Sequence, residues 1–224
     1  KQSVTCDTQR LIGNDSCFTC SFKVVSVSVL LSISMISLSA YVIARMDFKG
    51  KGLVSAMIYS TLFIPATAMT FPIYNLVNKL GIYNTPMALI FVYTCSGIAM
   101  SFFIIRNYFS IIPKEMEEAA EIDGCSYFQV FWHVMLPIAR PGIMTAAVIA
   151  FMNNWNEYYW SSMLLIKAES LTVPALLGQF TTSFNTNYNG LFSAIVVIIL
   201  PPIILFACTS KYFVEALGGG AVKG

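Results

Sequence analysis

The sequence predicts an all-α integral membrane protein, a bundle of about five membrane-spanning helices. Three observations point there. Hydrophobic residues make up 57% of the 224 residues and charged ones only 11%, against about a quarter charged in soluble domains. Apolar runs recur at about 20 residues, the length that crosses a bilayer core. Short polar connections rich in lysine or arginine separate them. The formal net charge of +2 indicates neither a nucleic-acid patch nor an acidic tail.

Residues 1–21, "KQSVTCDTQRLIGNDSCFTCS", show neither helical nor strand periodicity and no cleavable signal pattern. They read as an irregular or altered lead-in. Cys17 and Cys20 are spaced C-x-x-C there, without a second pair or a histidine beside them, and a zinc site wants four ligands. With Cys6, they read as chance cysteines or as part of a segment foreign to the natural protein. His133 is the only histidine, which excludes a two-histidine metal site, and no metal ligands are assigned.

The first span is "VVSVSVLLSISMISLSAYVIA", Val24 to Ala44, without a formal charge. "RMDFKGKG" follows, with three cations. The second begins at Leu53 and carries Pro65 and Pro72, which predict kinks. The third runs from Pro86 to Ile105, the fourth begins at Pro141, and the fifth begins at Gly190 with Pro201 and Pro202 inside it. The prolines read as bends used in gating or as static kinks for packing. Lysines and arginines set orientation. With the chain start outside, eight of the 13 are cytoplasmic: Arg45, Lys49, Lys51, Arg106, Lys114, Arg140, Lys211 and Lys223. On this count Arg45, Lys49 and Lys51 read as topology determinants.

One stretch departs from the rest. Residues 113–141 read "PKEMEEAAEIDGCSYFQVFWHVMLPIARP". Pro113 suits a first helical position, and Glu115, Glu117 and Glu118 suit the positive end of a helix dipole. Gly124 suits the left-handed position that ends a helix. Ser126 and Gln129 have capping-box spacing. Two short helices are therefore expected to meet at Gly124, with the second stopping near Pro137. Met116, Ala119, Ala120 and Asp123 share one face. Phe128, Phe131 and Trp132 make an apolar side able to lie back on the spans. The stretch reads either as a solvated connector or as a docking surface for a cytoplasmic partner. Its length, about thirty residues capped at both ends, exceeds what a connection needs.

A second cluster is "NNWNEYYW", Asn153 to Trp160. Ionisable groups at membrane depth are costly and mark function or burial in a bundle. Asn153, Asn156 and Glu157 are candidates for a translocation path or an external binding-protein contact, with Asn153 and Glu157 one helical turn apart. An interfacial aromatic belt with Glu157 in water is the other reading.

"EEAAEIDGCSYFQVFWHVMLPIARP" resembles the EAA motif of permease subunits of bacterial ABC importers. The matching residues are Glu118, Ala119, Ala120, Asp123, Gly124, Leu136, Pro137 and Pro141. "SAYVIARMDFKGKG", "NNWNEYYW" and the ending "YFVEALGGGAVKG" are similar to the carbohydrate-importer branch, the maltose permease subunit of the shorter type. The resemblance covers the chain from about Phe22 onward.

The resemblance implies a type I ABC importer permease fold. It implies a transmembrane permease domain over 22–212, a cytoplasmic coupling-helix loop over 106–140 and a cytoplasmic tail over 213–224. The tail either reaches an ATPase or is a flexible end. Six spans are implied, one of them before Phe22 and missing here. Glu118, Ala119, Ala120, Asp123, Gly124, Leu136 and Pro137 would couple to the ATPase.

The implied function is a permease subunit of an ATP-driven, binding-protein-dependent sugar importer in a bacterial inner membrane. Its implied partners are a second permease subunit, a cytoplasmic ATPase dimer, an extracellular sugar-binding protein and membrane lipid. The chain itself would be no enzyme and would carry no cofactor. ATP and magnesium would sit on the partner, since no GxxxxGK[ST] loop is present. A stand-alone ion-coupled carrier is the alternative. It would need ionisable groups along the spans, and Glu157 is essentially the only one. A membrane enzyme would need a base–nucleophile or metal set that the sequence lacks.

Overall fold

A computed structural model describes residues 15–167, 170–180 and 188–221. Among them every regular element is a helix or helical turn. Helix α1 (Asp15–Arg45) runs 31 residues. Ser28, Ser34 and Ser39 return their hydroxyls to the helix's own carbonyls, Ser28 Oγ to Val24 O at 2.7 Å, Ser34 Oγ to Leu30 O at 2.7 Å and Ser39 Oγ to Ile36 O at 3.0 Å. That satisfies a polar side chain where no water is available. The last seven residues of the segment expected to be irregular, from Asp15 on, belong to this helix. The cause is packing. Phe18 meets Trp155 edge-on at 5.6 Å, Phe22 meets Phe151 at 6.4 Å, and Ser21 Oγ accepts the Val173 N–H at 2.8 Å. Cys17 and Cys20 thus lie on one helical turn, and Cys20 Sγ faces the Ser170 carbonyl at 3.6 Å. Residues 1–14, with Cys6, lie outside the described residues.

The second expected span is two pieces, α2 (Lys51–Ser60) and α3 (Thr70–Lys79), joined by short 3₁₀ turns. Pro65 is the reason. Proline pushes the preceding residue out of the helical region, and Ile64 is extended at φ −88, ψ 113. A break replaces the expected kink. The third expected span is also two pieces, α4 (Pro86–Cys95) and α5 (Ile98–Ile111). Ser96 is extended there and Gly97 takes a left-handed φ of +67. Among the described residues two single helices are long and apolar enough to cross a membrane, and up to five spans result if each interrupted pair counts as one.

Beyond Ile111 come α6 (Glu115–Ile122), α7 (Tyr127–Val130), a π turn at Phe131–Met135, α8 (Leu136–Ile138) and α9 (Arg140–Trp155). Tyr127–Ile138 meets Arg140–Trp155 at a bend of 74°. The fourth expected span stops early. Helix α9 ends at Trp155, and α10 (Tyr159–Leu164) follows after a break. The chain closes with α11 (Val173–Leu176), a 3₁₀ turn, and α12 (Tyr188–Ala221), which holds Pro201 and Pro202 inside a continuous helix. The segment expected to be a tail from 213 is therefore helical through Ala221, since no proline after Pro202 removes a ladder donor.

The chain divides into two compact units. One takes the described residues of Lys1–Val29, Ala66–Ser96 and Phe151–Ala207; the other takes those of Leu30–Pro65, Gly97–Ala150 and Cys208–Gly224. In the first, Trp155 is 1% exposed and stacks on Phe151 at 5.6 Å. Its indole N–H donates to Ile198 O at 3.0 Å. Pro202 has no N–H, so the carbonyl four residues back loses its helical donor. Trp155 supplies the missing one. In the second unit, Tyr108 of α5 packs so closely on Gly142 of α9 that a Cβ there would overlap its ring. Only glycine admits that approach.

Trp155→Phe is expected to destabilise the folded protein by about 1–2 kcal/mol, because it strips the Ile198 carbonyl of its donor at membrane depth. Denaturation in mixed detergent micelles measures this. In a Pro202→Ala background, where the introduced alanine has a backbone N–H to give, the same change should cost much less. An equal cost in both backgrounds would refute the pairing.

Candidate functional site

The stretch 113–139 forms a compact helical loop in the second unit. Pro113 stands ahead of α6 rather than inside it. Lys114 is the N-cap, since its carbonyl accepts the Glu117 and Glu118 N–H groups at 2.9 and 3.1 Å. Glu115, Glu117 and Glu118 fill the first turn. No side chain caps that end, so these charges meet the bare helix dipole. At the other end Gly124 has φ +83. Its N–H bonds to Glu121 O at 3.0 Å, and the Cys125 N–H bonds to Ala120 O at 3.0 Å. This pair is a Schellman ending, which requires the left-handed residue. The next helix starts at once. Gln129 Oε1 accepts the Ser126 N–H at 2.8 Å and the Ser126 hydroxyl at 2.9 Å. The expected capping box is present.

The second helix stops near Pro137 as expected, one residue beyond it. It widens into the π turn, where the Leu136 N–H reaches Phe131 O, and continues to Ile138. A proline in a helix interior crowds the carbonyl four residues back, here that of His133, and a π turn relieves that crowding. The apolar side expected to lie back on the spans divides. Phe131 is 3% exposed, with its ring 5.1 Å from Tyr41 of α1 and 6.4 Å from Phe109 of α5. Phe128 and Trp132 stay exposed beside a groove of about 570 Å³ that Leu136 and Pro137 also line.

Of the EAA-type residues, Glu118, Ala119, Asp123 and Gly124 lie on the surface and Ala120 is buried. The shared face expected for Ala119 and Ala120 is thus split between solvent and interior. Three large apolar side chains surround the Gly124 turn without cover: Ile122 is 86% exposed, Tyr127 67% and Phe128 64%.

Arg45, expected only to set topology, has a structural role. Its Nε lies 3.0 Å from Glu117 Oε1, with the two side chains 7% and 16% exposed. Neither atom has a hydrogen bond of good geometry, so the attraction is Coulombic. Arg45 Nη2 also donates to the Ile112 carbonyl, just ahead of Pro113. Burial pushes the Glu117 carboxyl above the usual carboxylate range; Arg45 opposes this, Glu121 adds to it and Lys114 lowers it. Counting cations by loop could not reveal this pair. The only sequence signal was that Tyr41 and Arg45 lie one turn apart at the end of a span.

The second candidate cluster is in the other unit. The helical relation between Asn153 and Glu157 does not form, because α9 ends at Trp155. Asn153 and Asn156 are exposed. Asn156 lines clefts of about 460 and 420 Å³ that also contain residues of α12. Glu157 is engaged internally. It accepts the Trp160 N–H at 2.9 Å, the Ser161 N–H at 3.3 Å and the Tyr93 hydroxyl at 2.9 Å. Its carboxylate holds the first turn of α10, so its reading as an aromatic-belt residue in open water is replaced by a packing role.

The Glu117 pair has a measurable consequence. A carboxyl whose folded-state pKa is raised binds its proton more tightly in the folded protein, so its contribution to stability falls as pH rises through that pKa. Carbon-13 NMR of carboxyl-labelled protein in nanodiscs, assigned with Glu117→Gln, should show a midpoint above that of free glutamate. Arg45→Met should raise it further, because a cation that favours the charged form is lost. A midpoint at or below the free value, or a fall in Arg45→Met, would contradict the described burial.

Residues 27–218 match the family described as "Binding-protein-dependent transport system inner membrane component". The chain is 34% identical over 212 residues to the probable ABC transporter permease protein YurM of Bacillus subtilis, covering 95% of this chain and 71% of that protein. It is also 34% identical over 198 residues to the arabinooligosaccharides transport system permease protein AraQ of Halalkalibacterium halodurans, covering 88% and 70%. The fold is similar to a chain of a bacterial ABC transporter involved in the import of alginate, with TM-score 0.80, 23% identity, and 92% and 79% coverage. With helices of spanning length and a match over most of its residues, the chain belongs to the inner-membrane components of binding-protein-dependent transport systems, the permease subunits of ABC transporters.

Proposed function

We propose that the chain is the permease subunit of an ATP-driven, binding-protein-dependent sugar importer in a bacterial inner membrane. It forms half of the translocation path with a second permease subunit. Its 113–139 loop docks on a cytoplasmic ATPase dimer, which holds the ATP and magnesium. An extracellular sugar-binding protein delivers the solute. The observation that carries this reading is the Gly124 turn. Uncovered Ile122, Tyr127 and Phe128 stand there beside the outward carboxylates of Glu118 and Asp123, on a frame stiffened by a Schellman ending and a capping box. A large exposed apolar patch rimmed by charge marks a protein interface. The charges argue against lipid as its cover.

The substrate class follows from relatives whose names specify oligosaccharides. Asn153 and Asn156 offer amide groups able to bond to hydroxyls along the path. An ion-coupled carrier is less well supported, because the intramembrane carboxylate of Glu157 is occupied by three donors of its own chain.

The test is a photoreactive amino acid at position 122 in membranes that hold the full transporter. Crosslinks to an ATP-binding subunit are expected, and their absence with the complex intact would overturn the docking. A second expectation concerns Gly124→Val. An added Cβ meets nothing within 4 Å, so the cost is conformational, about 1–3 kcal/mol for a β-branched residue at φ +83. Sugar uptake per ATP hydrolysed should fall about tenfold with insertion unchanged, read from paired uptake and phosphate-release assays. Wild-type coupling in that variant would count against the loop.

A further inference from the structure

The loop is covalently attached to α5 and α9, and Phe109 of α5 meets Phe131, yet side chains of α1 grip both of its halves. Arg45 is the last residue of α1. It holds the first half of the loop through Glu117 and through the Ile112 carbonyl. Tyr41 lies four residues earlier, hence on the same face of the helix. Its ring holds the second half through Phe131 at 5.1 Å and the end of α5 through Phe109 at 5.6 Å. One face of one helix turn therefore touches both helices that meet at Gly124. All of these residues belong to one compact unit. Glu117 and Glu118 are neighbours with opposite duties: Glu117 is drawn inward to Arg45, and Glu118 is left outward.

We propose that Tyr41 and Arg45 are positioning residues that mount the loop on α1, and that displacement of the loop enters the membrane through α1 moving with it as one body. This rests on the reading of the loop as the ATPase-docking element. Helix α1 is suited to the task because it runs without a break from Asp15 to Arg45. The routes through α2 and α3, and through α4 and α5, are interrupted at Pro65 and Gly97. A continuous helix transmits an axial push that an interrupted one absorbs at its break.

The experiment uses the complete transporter in proteoliposomes, with sugar uptake and ATP hydrolysis measured together. Arg45→Met is expected to cut sugar moved per ATP about tenfold while the ATPase still co-purifies. Glu117→Gln should do the same, and the double variant should be no worse than either single one. The exchange Arg45→Glu with Glu117→Arg should recover part of the loss. A role confined to folding would instead lower complex yield and uptake in parallel and leave the ratio unchanged. Should Arg45→Met fail to assemble, Tyr41→Leu keeps the ion pair and must still uncouple.

Spin labels at Met35 and Glu115, both exposed and outside the docking patch, report the motion directly in a background without native cysteines. Their separation should be the same in the nucleotide-free and ATP-trapped transporter. A change of more than about 2 Å, the size of ordinary helix shifts, or a wild-type sugar-per-ATP ratio in Arg45→Met, would overturn the proposal. If the wild-type loop crosslinks no ATP-binding subunit, the docking reading fails instead, so the two failures are distinct.

Discussion

Arg45 and Glu117 face each other across 3.0 Å with little access to water, and that contact ties the 113–139 loop to the end of α1. Removing two ions from water costs several kcal/mol each, which mutual attraction repays only with good geometry. Here the repayment is partial. Burial raises the affinity of Glu117 for a proton more than Arg45 lowers it. The pair fixes one arrangement of the loop against α1. Loss of either partner leaves the other charged and buried, at a cost of about 3–5 kcal/mol. The chain thus holds its loop by a contact that is expensive to break.

The loop itself is stiff for local reasons. Gly124 admits the one backbone conformation in which the end of one helix and the start of the next are both satisfied. The π turn lets the second helix run on into Pro137 without a break. The loop is thus ordered from within and fastened at several points. At its tip Ile122, Tyr127 and Phe128 stay largely exposed, although the Phe128 ring meets Trp132 edge-on at 6.1 Å. They are what a partner would cover.

In the other unit the main concern is the backbone. Within a bilayer each unpaired N–H or C=O costs several kcal/mol, and every interruption of a span creates some. Side chains meet several of them. Trp155 serves the carbonyl orphaned by Pro202, and Glu157 serves the first N–H groups of α10. Asn84 Oδ1 accepts the Ile166 and Lys167 N–H groups. Glu157 is thereby engaged within its own unit, while Asn153 and Asn156 stay exposed. The acid that drew notice as an ionisable group at membrane depth is a cap.

The sequence by itself determined the membrane character, the approximate number of spans, the Gly124 joint and the Ser126–Gln129 cap. Each follows from local chemistry: the length of an apolar run, a residue's permitted φ, a three-residue spacing. Only the tertiary structure decided that Asp15 already belongs to α1, that the spans containing Pro65, Gly97 and Asn156 are broken, and that α12 continues through Ala221. It alone paired Arg45 with Glu117, 72 positions apart, and Trp155 with Ile198. Hydropathy reports how much of a segment avoids water but says nothing of direction. Which carboxylate turns inward, and which carbonyl finds a distant donor, is fixed only when separate helices are packed and each buried polar group must find a partner within about 3 Å.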